Sequence, residues 1–331
     1  SSVDNSPRPL GRSTVTVGPL GLGCWPLAGM TREGITPEAA VATVRAAVDG
    51  GIAHLDTAYC YGERGESERA IAAAIRGRRE SVVIAGKCGI HWEPDATKTP
   101  PRRQCVDGRP ERLRAEVEES LGRLGTDHLD LLYLHAPDPT LPIEESAAEL
   151  RRLLDAGKTR AVGVSNVTVE QLERFSSICP LSACQMHFNM LQREIEREIL
   201  PWCRERGVAM VVYWPLMKGL LAGTMDRRRV FPATDSRHKY PMFQGDEFAR
   251  NLDFVEAIRP VATRLACPLA DVVLAWTAEQ PGITSVLFGA TSPEQVAENV
   301  RALSCELDNE ARTVIRAAIA ARGPAASRRA V

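Results

Sequence analysis

The chain has 331 residues, 44% of them hydrophobic and 25% charged, with a formal net charge of −1. That balance leaves no electrostatic footprint for nucleic acid or an anionic membrane surface. No apolar run approaches the ~18 residues of a membrane span. The length fits two ordinary domains or one long α/β barrel.

Nine cysteines are scattered without a Cys-x-x-Cys pair. Cys179 and Cys184, the closest two, have no partner pair at zinc-site spacing, so thiols in a reducing compartment are expected and no metal is. The stretch SSVDNSPRPLGRS is polar and contains proline, which reads as neither signal peptide nor anchor. A cytoplasmic protein is expected. Only five of the 41 basic residues are lysines, so a lysine at a strand end stands out.

In chain order, TVTV and LGLGCW are short β-like runs joined at Gly18-Pro19. Thr36-Pro37-Glu38 opens a helix with Val41, Val44 and Val48 on one face, closed by Gly50-Gly51. Ile52 to Leu55 reads as a buried strand, Ser67 to Arg78 as a helix, and Val82 to Lys87 as the next strand. A Pro-rich, charged segment from Cys88 to Gly108 looks irregular. The helix opened by Pro110 is striped by Leu113, Val117, Leu121 and Leu124 and stopped by Gly125. Strands follow at Leu129–Leu134, Ala161–Val164, Ala183–Met186, Val208–Tyr213 and Ser285–Phe288. Helices between them are expected over 143–156, 168–176, 194–206, 248–265 and 269–280. A second long segment spans 214–245, and two more helices open at Ser292 and Asn309.

Eight β-then-α repeats with apolar rather than alternating strands predict an all-parallel sheet closed into a (β/α)8 TIM barrel. The expected fold adds an N-terminal β-hairpin, long loops after strands three and seven, and extra C-terminal helices. Residues 1–331 are expected to form one domain, with 1–12 and 322–331 as flexible tails. Gly18-x-x-Gly21-x-Gly23 lacks the third fingerprint glycine and a following helix, so an open dinucleotide-binding sheet is not supported.

Asp56 and Tyr61, then Lys87, then His135 fall at the ends of successive strand units, and neighbouring strands lie about 5 Å apart. On a barrel these groups converge. An ammonium beside a phenol favours the phenolate and opens proton transfer in both directions. A carboxylate would hold the lysine, and a histidine could donate to a carbonyl oxygen. This set suits protonation of an oxygen gaining negative charge, with the electron pair arriving from a bound hydride donor. Each residue singly also fits a structural role: Asp56 as a cap, Lys87 with Asp56 as a buried ion pair, and His135 bonded to a carbonyl.

The motifs GLGCW, HLDTAYCYG, VIAGK, SLGRLGTDHLDLLYLHAPDP, AVGVSNVT, CQMHFN, VVYWPLMKGLLAG and FGATSPEQVAEN resemble the aldo-keto reductase family. The resemblance implies a (β/α)8 barrel that reduces aldehydes and ketones with a nicotinamide dinucleotide extended across its top. Asp56, Tyr61, Lys87 and His135 match the family's catalytic set, with Tyr61 as general acid. Ser165, Asn166 and Gln185 match its carboxamide-binding residues, although as strand-end polar residues they also fit a rim or capping role. Tyr213 matches the ring that stacks on nicotinamide. Leu216 to Gly219, with Lys218 either a counter-charge or a solvated loop lysine, matches the segment that wraps the pyrophosphate, and Trp214 and Pro215 are counted with the cofactor-binding residues. Gly289, Ala290, Thr291, Gln295, Glu298 and Asn299 match the adenosine segment.

Two departures bear on the cofactor. Trp214 stands where many relatives have serine, and Gly289 and Gln295 are uncharged where many NADPH-specific members carry a lysine and an arginine. NADP(H) is favoured and NAD(H) stays open, with amides at Ala290 and Thr291 able to meet a phosphate. Trp25, His91 and Trp92 are expected in the substrate wall, facing a small carbonyl compound of unspecified identity. Other readings are a regulatory or channel-associated nucleotide-binding subunit, and a lyase forming a Schiff base on Lys87. A monomer or weak homo-oligomer is expected.

Overall fold

A computed structural model describes residues 4–31, 34–328 and 331. Eight parallel strands close into a barrel: Leu20–Gly23, His54–Asp56, Val83–Cys88, Leu131–Leu134, Val162–Ser165, Ala183–His187, Ala209–Tyr213 and Ile283–Gly289. The last pairs with the first through Phe288 opposite Leu22, which completes the ring. Leu131 to Leu134 and Val162 to Ser165 are buried at every position, as expected for strands covered on both faces.

Local signals set the helix ends. The Thr36 side chain accepts from the Ala39 amide, and Pro37 occupies the first helical position of Pro37–Asp49. Thr168 and Gln171 form a reciprocal capping box on Val169–Ser176. Gly125 ends Pro110–Leu124 at φ +66°. The stretch expected as one helix over 194–206 divides into a short 3-10 turn, Glu194–Glu196, and a helix, Ile199–Arg206. Among the described residues no single helix is long and apolar enough to cross a membrane.

Three expectations are corrected. First, the stretch 1–12 is not simply a tail: Arg8–Pro9 pairs antiparallel with Thr16–Val17, and Leu10 is fully buried with Ala161, Ala183 and Ala209 at the strand starts. This hairpin plugs the amino-terminal end of the barrel. Burying a leucine there stabilises by about 1.5–3 kcal/mol, which holds the segment down. Gly11 is required at this plug, since a Cβ would lie 2.4 Å from the Ser182 carbonyl oxygen. Residues 1–3 lie outside the described residues.

Second, the stretch 322–331 is docked through residue 327. Arg322 donates to Asn251 Oδ1 at 2.8 Å and pairs with Glu247, the Ala326 amide donates to Glu247 at 2.8 Å, and Ser327 meets His187 at 3.1 Å. Residues 329–330 lie outside the described ones. Third, the segment 88–108 is not irregular. Ile90–Pro94 and Arg102–Val106 form an antiparallel hairpin standing on the third strand. The loop after strand seven is long as expected and contains only short 3-10 turns before helix Gly245–Leu265.

Candidate active site

The second strand ends at Asp56 and the third runs through Lys87, so two buried side chains of opposite charge meet inside the barrel mouth. Lys87 Nζ is ion-paired with Asp56 Oδ1 and donates to the Thr57 carbonyl at 2.9 Å and to the Tyr61 hydroxyl at 3.2 Å. The second carboxylate oxygen accepts from Gln185 Nε2 at 2.8 Å. Both oxygens are therefore satisfied, which a buried ion pair needs to offset its desolvation.

Tyr61 is delivered by a turn rather than by the strand itself. Its amide donates to the Ala58 carbonyl at 3.1 Å, and its own carbonyl accepts from the Ser67 amide at 3.2 Å. Gly62 follows at φ +104°, where a Cβ would sit 2.8 Å from the Glu66 amide nitrogen; only glycine fits. Arg123, paired with the buried Glu68 at 2.9 Å, donates to the Tyr59 carbonyl at 3.1 Å. Trp92 Nε1 donates to the Cys60 carbonyl at 2.7 Å. The turn is thus clamped from the helix behind it and from the hairpin above it.

His135 follows the fourth strand, its amide donating to the Cys88 carbonyl at 2.9 Å. Its ring stands edge-on to Tyr61 at 6.0 Å, and Nδ1 lies 3.6 Å from the Cys60 thiol. Trp25 also packs edge-on against Tyr61 at 5.2 Å. All four sequence-predicted catalytic side chains are therefore in one place.

Electrostatics correct one expectation. The Tyr61 phenol is pushed well up rather than toward the phenolate, first by burial and then by the Asp56 carboxylate. Desolvation of the anion outweighs the nearby ammonium because Asp56 already neutralises it. The His135 imidazolium is disfavoured by burial and by Lys87. The site at neutral pH is a neutral phenol and a neutral imidazole beside an ion pair. That arrangement can donate a proton to an oxygen and then stabilise the phenolate left behind.

The neighbouring rim is amide-rich. Ser165 Oγ donates to the Gln185 carbonyl at 2.9 Å, and Asn166, at φ +59°, donates to the His135 carbonyl at 3.1 Å. Tyr213 donates to Asn166 Oδ1 at 2.7 Å. Gln185 points to Asp56, so here its amide belongs to the ion-pair network. The segment after Tyr213 takes left-handed backbone at Trp214, Met217, Lys218 and Gly219. Non-glycine residues in that region cluster at ligand clamps. Asn189 was missed by sequence reasoning, yet its Nδ2 holds the Trp214 carbonyl at 3.1 Å. Its only signal was a place at the end of the sixth strand.

Lys218 Nζ lies over the Trp214 and Tyr240 rings at 4.8 and 4.7 Å. At the adenosine-like segment, Ser292 caps Pro293–Val300. The Thr291 amide there already donates to Gln295 Oε1 at 2.8 Å. Ala290 and Asn299 are buried, while Gly289 and Glu298 are exposed. Amides at Ser165–Asn166, a ring at Tyr213 and a backbone clamp whose only ionisable side chain from Trp214 to Gly219 is Lys218 fit a nicotinamide dinucleotide.

Of the expected substrate wall, Trp25 packs against Tyr61, and Trp92 shares one apolar cluster with Tyr61, Val106 and Ile90. His91 lies on the other face of its strand, beside Glu93 and 4.0 Å from Glu116.

The family model described as "Aldo/keto reductase family" matches residues 19–320. The chain is 36% identical over 280 residues to the aldo-keto reductase YhdN of Bacillus subtilis (strain 168), covering 84% of this chain and 82% of that one. It is 35% identical over 317 residues to an NADH-specific methylglyoxal reductase of Escherichia coli (strain K12), covering 93% and 96%. The solved glycerol dehydrogenase AKR11B4 from Gluconobacter oxydans superposes with a TM-score of 0.87 at 32% identity, over 98% of both chains. A closed parallel barrel with a Lys-paired phenol at its mouth and a family match over nearly its whole length lead to one conclusion: this chain belongs to the aldo-keto reductases, which reduce carbonyls with NAD(P)H.

Proposed function

We propose that the chain, as one barrel domain in the cytoplasm, reduces small oxygenated aldehydes and ketones, with NADPH the favoured donor and NADH also accepted. The observation that carries the mechanism is the Tyr61 hydroxyl, 3.2 Å from an ammonium already neutralised by Asp56. A bound reduced nicotinamide supplies the hydride. The substrate oxygen rests against the Tyr61 hydroxyl and the neutral His135 ring, and Trp25 and Trp92 exclude water from it. As negative charge builds on that oxygen, Tyr61 gives up its proton. Lys87 stabilises the resulting phenolate, and Asp56 keeps Lys87 in place. Ser165, Asn166 and Tyr213 orient the nicotinamide end, and the clamp from Trp214 to Gly219 holds the pyrophosphate.

The names of two relatives, a methylglyoxal reductase and a glycerol dehydrogenase, support a three-carbon oxygenated substrate class. The first of them is NADH-specific by name, which supports NADH as a second donor, as do the uncharged Gly289 and Gln295. The test titrates NADPH and NADH separately by protein fluorescence. Loss of reduced-cofactor absorbance is then followed on a panel containing methylglyoxal, glyceraldehyde and dihydroxyacetone. Tight cofactor binding without turnover on any carbonyl would sink the enzymatic reading.

A further inference from the structure

The hairpin on the third strand has two different faces. Ile90, Trp92 and Val106 turn toward Ala58, Cys60 and Tyr61. Alternation along a strand sends His91 and Glu93 to the opposite face. The register sets Cys105 directly across from His91 and Arg103 across from Glu93. Imidazole, carboxylate and thiol therefore share one small patch. One ligand atom from each of His91, Glu93 and Cys105 lies within 4.8 Å of the others. His91 Nε2 is 3.1 Å from Glu93 Oε1.

From these placements we propose that His91, Glu93 and Cys105 form a binding site for a thiophilic divalent cation such as Zn2+, with water completing a tetrahedron. Zinc bonds of about 2.0–2.3 Å put ligand atoms about 3.3–3.8 Å apart. The Nε2–Oε1 pair is already near that separation, and a small movement of Cys105 brings in the sulfur. Glu93 Oε2 stays with Arg103 Nη2 at 2.6 Å, which leaves Oε1 for the metal.

A second observation supports the assignment. His91 Nδ1 is buried with no hydrogen-bond partner, yet Glu116 Oε2 stands 4.0 Å away. With Nε2 on a metal, Nδ1 must carry the ring proton, and a carboxylate behind the imidazole is the usual outer partner of a metal-bound histidine. Glu116 itself is held by the Gly89 amide at 2.8 Å and by Arg112 at 2.8 Å. The Cys105 proton passes to solvent on binding, as metal thiolates require. Thirteen residues separate His91 from Cys105, so sequence spacing hides the site that the cross-strand register creates. A cation here would staple the hairpin whose other face stands over Tyr61.

Co2+ titration of the full chain tests this directly. The expected result is a thiolate-to-cobalt charge-transfer band saturating at one equivalent, displaced by Zn2+. The band should be lost in Cys105→Ser, weakened in Glu93→Gln and kept in Cys267→Ser, the other half-exposed cysteine. Zn2+ should also raise the melting temperature of the wild type but not of Cys105→Ser. No band in the wild type, or a band that survives Cys105→Ser, overturns the proposal. So does a band lost equally in Cys267→Ser.

Discussion

The ammonium of Lys87 stands 3.2 Å from the hydroxyl of Tyr61 while its own charge is held by Asp56; Lys87 and Asp56 are buried and Tyr61 is half-buried. The pair sits across two adjacent strands. Its geometry therefore depends on barrel closure and on the turn that carries Tyr61 back over the strand end.

Tyr61→Phe keeps the ring packed on Trp25 and removes only the transferable proton. We expect turnover with a responsive aldehyde to fall by about 10²–10⁴-fold, with cofactor affinity by fluorescence unchanged. Full activity in this variant would end the role assigned to Tyr61.

Lys87→Met leaves the Asp56 carboxylate buried with only Gln185 to answer it. Removing one partner of a buried pair costs about 3–5 kcal/mol, readable as a lower urea midpoint. Adding Asp56→Asn should restore part of that loss. A Lys87→Met protein as stable as the wild type would show that the pair is solvated in solution.

Stability should fall with acid. His54 is fully buried with Nδ1 on Ser285 Oγ at 3.1 Å, and burial pulls its imidazolium down from 6.5 to about 4. His135 is shifted the same way. As pH drops below 6.5 the unfolded chain takes up these protons first, so unfolding gains. The His54 contribution is fully present above 6.5 and is lost as pH falls toward 4, by about 1.4 kcal/mol per pH unit, and His135 adds in the same direction. Urea unfolding at pH 7 and pH 5 measures it. His54→Asn should flatten the slope, and an unchanged slope would remove His54 from the account.

Gly62→Ala places a Cβ 2.8 Å from the Glu66 amide at φ +104°. The turn must shift, at about 1–3 kcal/mol, and it carries the Tyr61 hydroxyl with it. The expected result is a loss of turnover larger than the loss of stability, compared by activity and thermal melting. Equal activity to the wild type would mean that the turn tolerates displacement.

Trp92→Phe keeps an aromatic wall but removes the hydrogen bond to the Cys60 carbonyl. A hairpin loosened from the catalytic turn should raise KM for small aldehydes several-fold while kcat changes less. If both constants match the wild type, the hairpin does not form the wall.

Much of this protein was legible in one dimension. Runs such as Leu131 to Leu134 announce strands buried on both faces, Gly125 marks a helix end, and the placement of Asp56, Lys87 and His135 after successive strands predicts their convergence. Each of those signals is local or repeats with the fold, so one chain suffices to read it. The hairpin 90–94/102–106 was not legible because proline and charge mask its alternation, and its pairing is set by contacts across the strand. The orientation of His91 away from Tyr61 follows from that same pairing.

The sequence by itself determined the parallel barrel and placed Asp56, Tyr61, Lys87 and His135 at neighbouring strand ends. The tertiary structure alone decided that Leu10 plugs the barrel, that Arg322 pins the C-terminal segment to Asn251, and that the Tyr61 phenol stays protonated. Those outcomes depend on burial and on partners distant in the chain. Desolvation and long-range contact are properties of the packed molecule, and no local run of residues encodes them.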